Sequence, residues 1–220
     1  ALRYGSETRF TRDLDAARLG SLTAFRSDFE ERLRGGWCGF TGRLIERTPP
    51  RPEGVPARYV MMPFEVKLDF EGRAWCTVPF ELSDNELGDA DATVLALAPN
   101  IAALFTDLGF EPPTPVPVVP IEHQIAQKIH ASTAPGSDRA RDLVDLQLLA
   151  TRENIDMRAV RAVCTRLFAY RQAHAWPPTA TSGKNWQSLY AEAATGLPVV
   201  SDLDDAIDWM NRLIAQIDQM

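Results

Sequence analysis

Residues 9–18 read RFTRDLDAAR, and this stretch decides how the N-terminal half of the chain is interpreted. Asp13 and Asp15 are two positions apart, so an extended strand would turn both carboxylates to one face and Leu14 to the core. Parallel carboxylates repel unless a cation lies between them, and hard oxygen ligands suit Mg²⁺ or Mn²⁺. The pattern therefore predicts either a divalent-metal site or, because D-x-D also arises by chance, a solvated acidic edge.

Composition narrows the class of protein. The chain has 220 residues, of which 45% are hydrophobic and 24% charged, enough to bury a sizeable core. A formal net charge of −7 argues against a generic nucleic-acid binder, although a local basic groove stays open. Cys38, Cys76 and Cys164 form no CxxC pair, which argues against a disulfide framework or a zinc site and favours free thiols in the cytoplasm. We find no signal peptide and no apolar run that would span a membrane.

A strand pair is predicted in the middle of the first half. In residues 59–72, YVMMPFEVKLDFEG, apolar and polar side chains alternate, and residues 73–82, RAWCTVPFEL, follow as an antiparallel partner. Asp69 falls on the polar face and would complete a three-carboxylate set with Asp13 and Asp15, as two-metal phosphoryl transfer requires. The alternative is that Asp69 pairs with Lys67 or Arg73 on an exposed sheet face.

The second half reads as helical. We divide the chain into a mixed lobe at residues 1–110, a proline-rich joint at 111–120 (EPPTPVPVVP) and a helical lobe at 121–220. Lys128 lies in the helical pattern IEHQIAQKIHAS and could contact a triphosphate. Asp142 and Asp145 share a helix face and would orient Lys128 or hold a base or ribose; alone, such spacing is often a surface salt-bridge ladder.

Arginines recur through the third predicted helix of this lobe, at positions 152, 158, 161, 166 and 171. Such a face could dock a nucleic-acid backbone, and it could equally be an ordinary solvated surface. His123, His130 and His174 have no paired metal-ligand spacing, so we interpret them as surface or satisfied core side chains.

Together these pieces resemble the AbiEii/AbiGii-type nucleotidyltransferase toxins of bacterial abortive-infection and toxin–antitoxin systems. The motif R-x-T-x-D-x-D is matched by RFTRDLD, and a strand with a third aspartate by EVKLDFEG. A-x-K-x-x-A is matched by AQKIHA and R-D-x-x-D-L by RDLVDL. The resemblance spans nearly the whole chain. The family's Gly-Gly-Thr/Ser turn would come before ALRYG, and we expect it upstream in the native protein.

The resemblance implies an α+β protein of nucleotidyltransferase (polymerase-beta-like) fold, with a small mixed sheet, flanking helices and a helical C-terminal lobe that closes a cleft. It implies a toxin that transfers a nucleoside monophosphate from an NTP to the 3′ end of tRNA and so blocks translation. A cognate antitoxin is the implied protein partner. The alternatives are nucleotidylation of a protein target, a non-catalytic partner-binding module that retains the fold, or phosphodiester hydrolysis.

The same resemblance assigns roles to residues. Asp13, Asp15 and Asp69 would bind Mg²⁺ or Mn²⁺, and Asp69 would favour deprotonation of the attacking hydroxyl. Lys128 would contact the β- and γ-phosphates. The remaining predicted nucleotide-binding residues are Arg9, Arg12, Asp142 and Asp145.

Overall fold

The structure is a computed structural model, and it describes residues 14–18, 20–50, 60–87 and 94–220. These residues form two compact units. The first unit contains described residues within 14–87, and the second contains residues 94–220. The first unit carries a mixed sheet and one helix, and the second carries six helices and a two-stranded sheet. Mixed α+β architecture was predicted and is confirmed. No helix among the described residues is long and apolar enough to cross a bilayer.

The first unit is a four-stranded sheet with one covering helix. Its elements are β1 (Leu14–Arg18), α1 (Leu22–Gly35), β2 (Phe40–Glu46), β3 (Met62–Phe70) and β4 (Arg73–Asp84). The strand order is β1-β4-β3-β2. Strand β3 is antiparallel to both β2 and β4, as a hairpin between β3 and β4 requires, whereas β1 joins β4 in parallel.

One face of this sheet forms the core of the first unit. Phe64, Phe80 and Leu82 are each at most 3% exposed, and apolar side chains of α1 pack against them. Period-two alternation explains the pattern, because every second strand residue points to the helix and the residues between point away. The prediction that Leu14 enters the core was wrong: Leu14 is 44% exposed, and Ala16 packs against the core instead.

Helix α1 begins where its sequence favours a start. The Ser21 hydroxyl accepts a hydrogen bond from the backbone N–H of Ala24 at 3.1 Å, which satisfies one of the unpaired N–H groups of the first turn. Phe25 and Phe29 follow at helical spacing and contact the Phe80 ring, with ring centroids 6.1 and 5.4 Å apart. These aromatic contacts fix the helix against the sheet.

The second unit contains the remaining elements. They are β5 (Val94–Ala96), α2 (Pro99–Asp107), β6 (Val116–Val118), α3 (Ile121–Thr133), α4 (Arg141–Arg152), α5 (Met157–Arg171), α6 (Trp186–Ala194) and α7 (Leu203–Asp218). Strand β6 pairs antiparallel with β5. The proline-rich segment that we predicted as a joint therefore lies inside this unit, because its valines form the β6 ladder. Helix α2 was not predicted.

Helix packing builds the core of the second unit. Ile125 and Ile129 of α3 are buried, as their spacing predicted, and the fully buried side chains of the unit also include Leu143, Leu146, Val144, Val160, Met210 and Ile217. Asp202 caps α7, since its carboxylate accepts from the backbone N–H groups of Asp204 and Asp205 at 2.8 and 3.1 Å.

Two histidines lie within that core. His130 is 5% exposed, and its ring centroid is 4.7 Å from that of His174. Nε2 of His130 and Nδ1 of His174 are buried and have no hydrogen-bond partner, so the prediction of satisfied histidines was wrong for these atoms. Burial, together with the nearby Arg171 guanidinium and His174, lowers the pKa of His130 to about 3.

The Phe80 contacts predict a large effect of truncation. Phe80→Ala removes the ring that joins α1 to the sheet, and we expect the free energy of unfolding to fall by about 3–5 kcal/mol in urea titrations. Thr77→Ala on the exposed face of the same strand is the control and should change it by less than about 1 kcal/mol. Equal losses in the two variants would contradict this account of the core.

Acid is expected to destabilise the helical unit through His130. The folded pKa is lowered, so neutral His130 stabilises the fold above pH 6.5, and this contribution is lost as pH falls toward 3. Between pH 7 and pH 5 the cost is about 2 kcal/mol from this one group. His130→Gln should flatten the measured pH dependence of unfolding over that window, whereas His123→Gln should leave it steep.

Candidate functional site

The first unit carries two carboxylates side by side on neighbouring strands. The parallel register of β1 and β4 sets Asp15 level with Glu81. Phe80 and Leu82 on either side of Glu81 are buried in the core, so Glu81 and Asp15 project from the opposite face, where both are exposed. Neighbouring strands lie about 4.8 Å apart, which brings the two side chains within reach of one common ligand.

Asp69 lies elsewhere on the same sheet. On β3 the residue level with Glu81 is Pro63, and Asp69 is six residues further along, about 20 Å away at the strand rise of 3.3 Å. Its carboxylate accepts from Arg43 at 3.0 Å. The described sheet therefore does not bring Asp69 to Asp15. The carboxylate that it does bring there is Glu81, which sequence reasoning missed.

Two other acidic side chains on this face, Asp69 and Glu65, have arginine partners. Glu65 accepts from Arg47 at 2.6 Å, and that hydrogen bond is the main cause of a lowered Glu65 pKa. The Arg47–Glu65 pair is exposed and contributes little to stability. The register of β1 and β4, and not the absence of partners, is what makes Asp15 and Glu81 an adjacent acidic pair in the described sheet.

The donor chemistry of that pair fits a divalent cation. Mg²⁺ and Mn²⁺ prefer carboxylate oxygens and keep several waters, so a few protein ligands on an open face are sufficient. Among the residues the structure describes, no group of three or more His, Cys, Asp or Glu side chains forms a complete metal site. Asp13, predicted as the next ligand, lies outside the described residues, and so do the predicted nucleotide contacts Arg9 and Arg12.

A second cluster of charges lies in the helical unit. The Lys128 ammonium on α3 donates to Asp142 at 2.9 Å and to Asp145 at 2.7 Å, both on α4. The structure thus brings together three residues that the sequence singled out. An ammonium has three N–H donors, so this arrangement leaves one for a further oxygen.

Asp142 is the centre of that cluster. Its side chain is 3% exposed, and its second oxygen accepts from Arg139 at 2.8 Å. It also lies in the first turn of α4, where the helix dipole favours negative charge. Arg141, the arginine of the R-D-x-x-D-L motif, points instead to Glu192 on α6 at 3.0 Å. Arg139 was missed because its role depends on the loop before α4.

The cluster keeps Lys128 charged. Burial lowers the Lys128 pKa, but the charges of Asp142 and Asp145 and their hydrogen bonds more than offset it, so the pKa is raised overall. The positive charges of Lys128 and Arg139 balance the negative charges of Asp142 and Asp145. Lys128 is therefore a fixed cation whose position is set by α4, which is a suitable arrangement for binding an anionic oxygen.

Comparison with known proteins agrees with the fold and the motifs. Residues 1–211 match the family described as nucleotidyl transferase AbiEii toxin, type IV TA system. The chain belongs to this family, so the predicted resemblance is confirmed. It is accordingly a nucleotidyltransferase of the toxin type found in toxin–antitoxin systems.

One solved structure of similar fold is MenT4, a nucleotidyltransferase toxin from Mycobacterium tuberculosis H37Rv. The TM-score is 0.53 at 18% sequence identity, and the match covers 98% of this chain and 79% of that one. At this identity the similarity shows the fold alone, and it confirms the predicted nucleotidyltransferase fold. No curated protein sequence matches the chain significantly.

The Lys128 cluster predicts a measurable contribution to stability. Lys128→Met leaves the buried Asp142 short of one partner, and because Lys128 is itself 23% exposed we expect a loss of about 2–3 kcal/mol in urea unfolding. Adding Asp142→Asn should recover part of it, since the uncompensated charge is then removed. Arg141→Gln breaks an exposed pair and should cost less than about 1 kcal/mol. A cost for Arg141→Gln as large as that for Lys128→Met would refute this ranking.

Proposed function

We propose that this enzyme transfers a nucleoside monophosphate from an NTP to the 3′ end of tRNA, and that the modified tRNA no longer supports translation. The observation that carries the proposal is the alignment of Asp15 with Glu81 on the exposed face of the sheet. Family membership supports nucleotidyl transfer, and the tRNA acceptor is the target that the resemblance implies. A cognate antitoxin would complete the system.

The reaction joins the acceptor to the α-phosphorus. The oxygen of the tRNA 3′-hydroxyl forms a bond to that phosphorus, the bond to the β-phosphate oxygen breaks, and pyrophosphate leaves. The hydroxyl proton must pass to a base, and we assign this to the Glu81 carboxylate, in the role first predicted for Asp69. Asp15 and Glu81, with Asp13, would hold the divalent cation. When bound, Mg²⁺ would offset charge on the triphosphate and on departing pyrophosphate.

Lys128 supplies the cationic contact to the nucleotide in this proposal. Its unused N–H would donate to an oxygen of the β- or γ-phosphate, while Asp142 and Asp145 hold the ammonium in place. A lysine held by two hydrogen bonds loses little side-chain entropy when it binds phosphate, which favours binding. Arg9 and Arg12 remain predicted phosphate contacts.

Four variants test which carboxylates of the sheet are needed for nucleotidyl transfer. Purified protein is incubated with total tRNA, Mg²⁺ and each α-³²P-labelled NTP, and the RNA is resolved on a denaturing gel. We expect Asp15→Asn and Glu81→Gln to reduce labelling at least about 100-fold, as loss of a charge-stabilising group at a reacting centre does. Asp69→Asn and Glu65→Gln, matched changes on the same sheet, should retain most activity.

The outcomes distinguish the alternatives. Full activity of Glu81→Gln with loss in Asp69→Asn would return the third carboxylate to Asp69. Label in protein with none in tRNA would replace the acceptor and keep the chemistry. No label in any acceptor from the unmodified protein, shown to be folded by circular dichroism, would refute nucleotidyl transfer to tRNA.

A further inference from the structure

Helix α5 has one buried face and one basic face. Its core side is formed by Val160, Val163, Cys164, Leu167 and Phe168, all buried. On the opposite side Arg158, Arg161 and Arg166 are exposed, and they line a shallow depression of about 400 Å³ together with Ala162, Thr165 and Met220. Arg158 and Arg166 are eight residues apart on one side of the helix, a length of about 12 Å.

Two of the three guanidinium groups are available to a ligand. Arg161 lies 3.8 Å from Asp218, a carboxylate that also accepts from the Trp176 indole N–H at 2.9 Å. Within the described part of the chain, Arg158 and Arg166 form no side-chain ion pair. Asp156, the nearest acid along the chain, is occupied by capping α5, since it accepts from the backbone N–H groups of Arg158 and Ala159.

The sign of this surface opposes that of the whole molecule. The chain carries a formal net charge of −7, whereas three arginines line this depression, so its local potential attracts an anionic ligand. Guanidinium groups match phosphate geometry with paired N–H donors. A run of cations over 12 Å fits a chain of phosphates better than one isolated phosphate.

The residues that line the depression also favour RNA over an acidic protein as its ligand. Protein interfaces depend on buried aromatic or aliphatic anchors, and the depression offers only Ala162 and Met220 as apolar side chains. It contains no aromatic ring on which a base could stack. The surface is therefore suited to a sugar-phosphate backbone recognised without regard to sequence.

We propose that the basic face of α5, formed by Arg158, Arg161 and Arg166, binds the phosphodiester backbone of the acceptor RNA. The identity of the ligand rests on the proposed function, in which RNA is the acceptor. The residues are separate from the Lys128 cluster on α3 and α4, so they position the RNA and take no part in bond formation. Binding here contributes salt-dependent affinity that a short acceptor would lack.

The binding test uses a double variant and a matched control. Both are made in the full chain, in an Asp15→Asn background that prevents turnover. Arg158→Gln/Arg166→Gln removes two charges from the face, and Lys184→Gln/Arg212→Gln removes two exposed charges elsewhere in the same unit. We expect the first pair to weaken tRNA binding several-fold and to make the slope of log K against log salt shallower by about 1.5. The control should keep the slope, and Arg158→Lys/Arg166→Lys should restore most of it.

Three results would overturn the inference. One is an equal loss in the control, which would mean a general charge effect. Another is unchanged tRNA affinity and slope in Arg158→Gln/Arg166→Gln. The third is a face that binds polyglutamate but not tRNA, because the ligand would then be an acidic protein.

A kinetic test separates this inference from the proposed function. With Asp15 intact, Arg158→Gln/Arg166→Gln should raise KM for full-length tRNA several-fold, leave kcat unchanged, and leave transfer to a short oligonucleotide ending in CCA unchanged. Transfer that is unaffected on both acceptors would refute the inference and leave the proposed function standing. If no RNA is labelled but tRNA binding still falls in this variant, the proposed acceptor fails and the RNA-binding face stands.

Discussion

The parallel pairing of β1 with β4 is the constraint on which the candidate catalytic face depends. It is the one parallel contact of the described four-stranded sheet, and it sets Asp15 level with Glu81. The core determines which way the two carboxylates point, because Phe80 and Leu82 fill the face beneath α1. A shift of one residue in this register would turn Asp15 toward α1 and away from Glu81. Packing of Phe80 and Leu82 beneath α1 thus determines that Asp15 and Glu81 project from the opposite face of the sheet.

The helical unit uses a different principle to hold its functional group. Lys128 is fixed by two carboxylates of α4, and Asp142 is fixed in turn by Arg139 and by its place in the first turn. The four charges sum to zero, so the cluster is compatible with burial while the Lys128 ammonium stays charged. Replacing Lys128 is therefore expected to affect stability and, under the proposed function, nucleotide binding as well. The unfolding free energy of such a variant must therefore be measured together with its activity.

Much of the local structure could be predicted from the sequence. Alternation identified the strand that carries Val66 and Asp69, and helical spacing identified the helix that carries Ile125 and Lys128. These elements depend on neighbouring residues, whose periodicity is visible in one sequence. The family resemblance added the order of the motifs and was confirmed over residues 1–211.

Other features of the structure depend on contacts between distant residues, which one sequence does not show. Alternation placed Asp69 on the polar face correctly, but it could not show that β1 pairs with the far end of β4, level with Glu81. A parallel register has no turn to mark it in the sequence. The valines at 116–118 are a second example. We predicted their proline-rich segment as a joint, but they form strand β6 and pair with β5, which is distant in the sequence. Likewise, nothing local indicates that His130 is buried beside His174.

Asp15 and Glu81 are proposed to act as one pair on a divalent cation, and Mn²⁺ binding is the property that shows whether they do. Electron paramagnetic resonance titration in the presence of a non-hydrolysable NTP analogue reports affinity without any acceptor. We expect Glu81→Gln to weaken Mn²⁺ binding at least about tenfold, as loss of one carboxylate ligand does, and Asp69→Asn to bind Mn²⁺ as the unmodified protein does. Mn²⁺ binding that is lost in Asp69→Asn and kept in Glu81→Gln would contradict it.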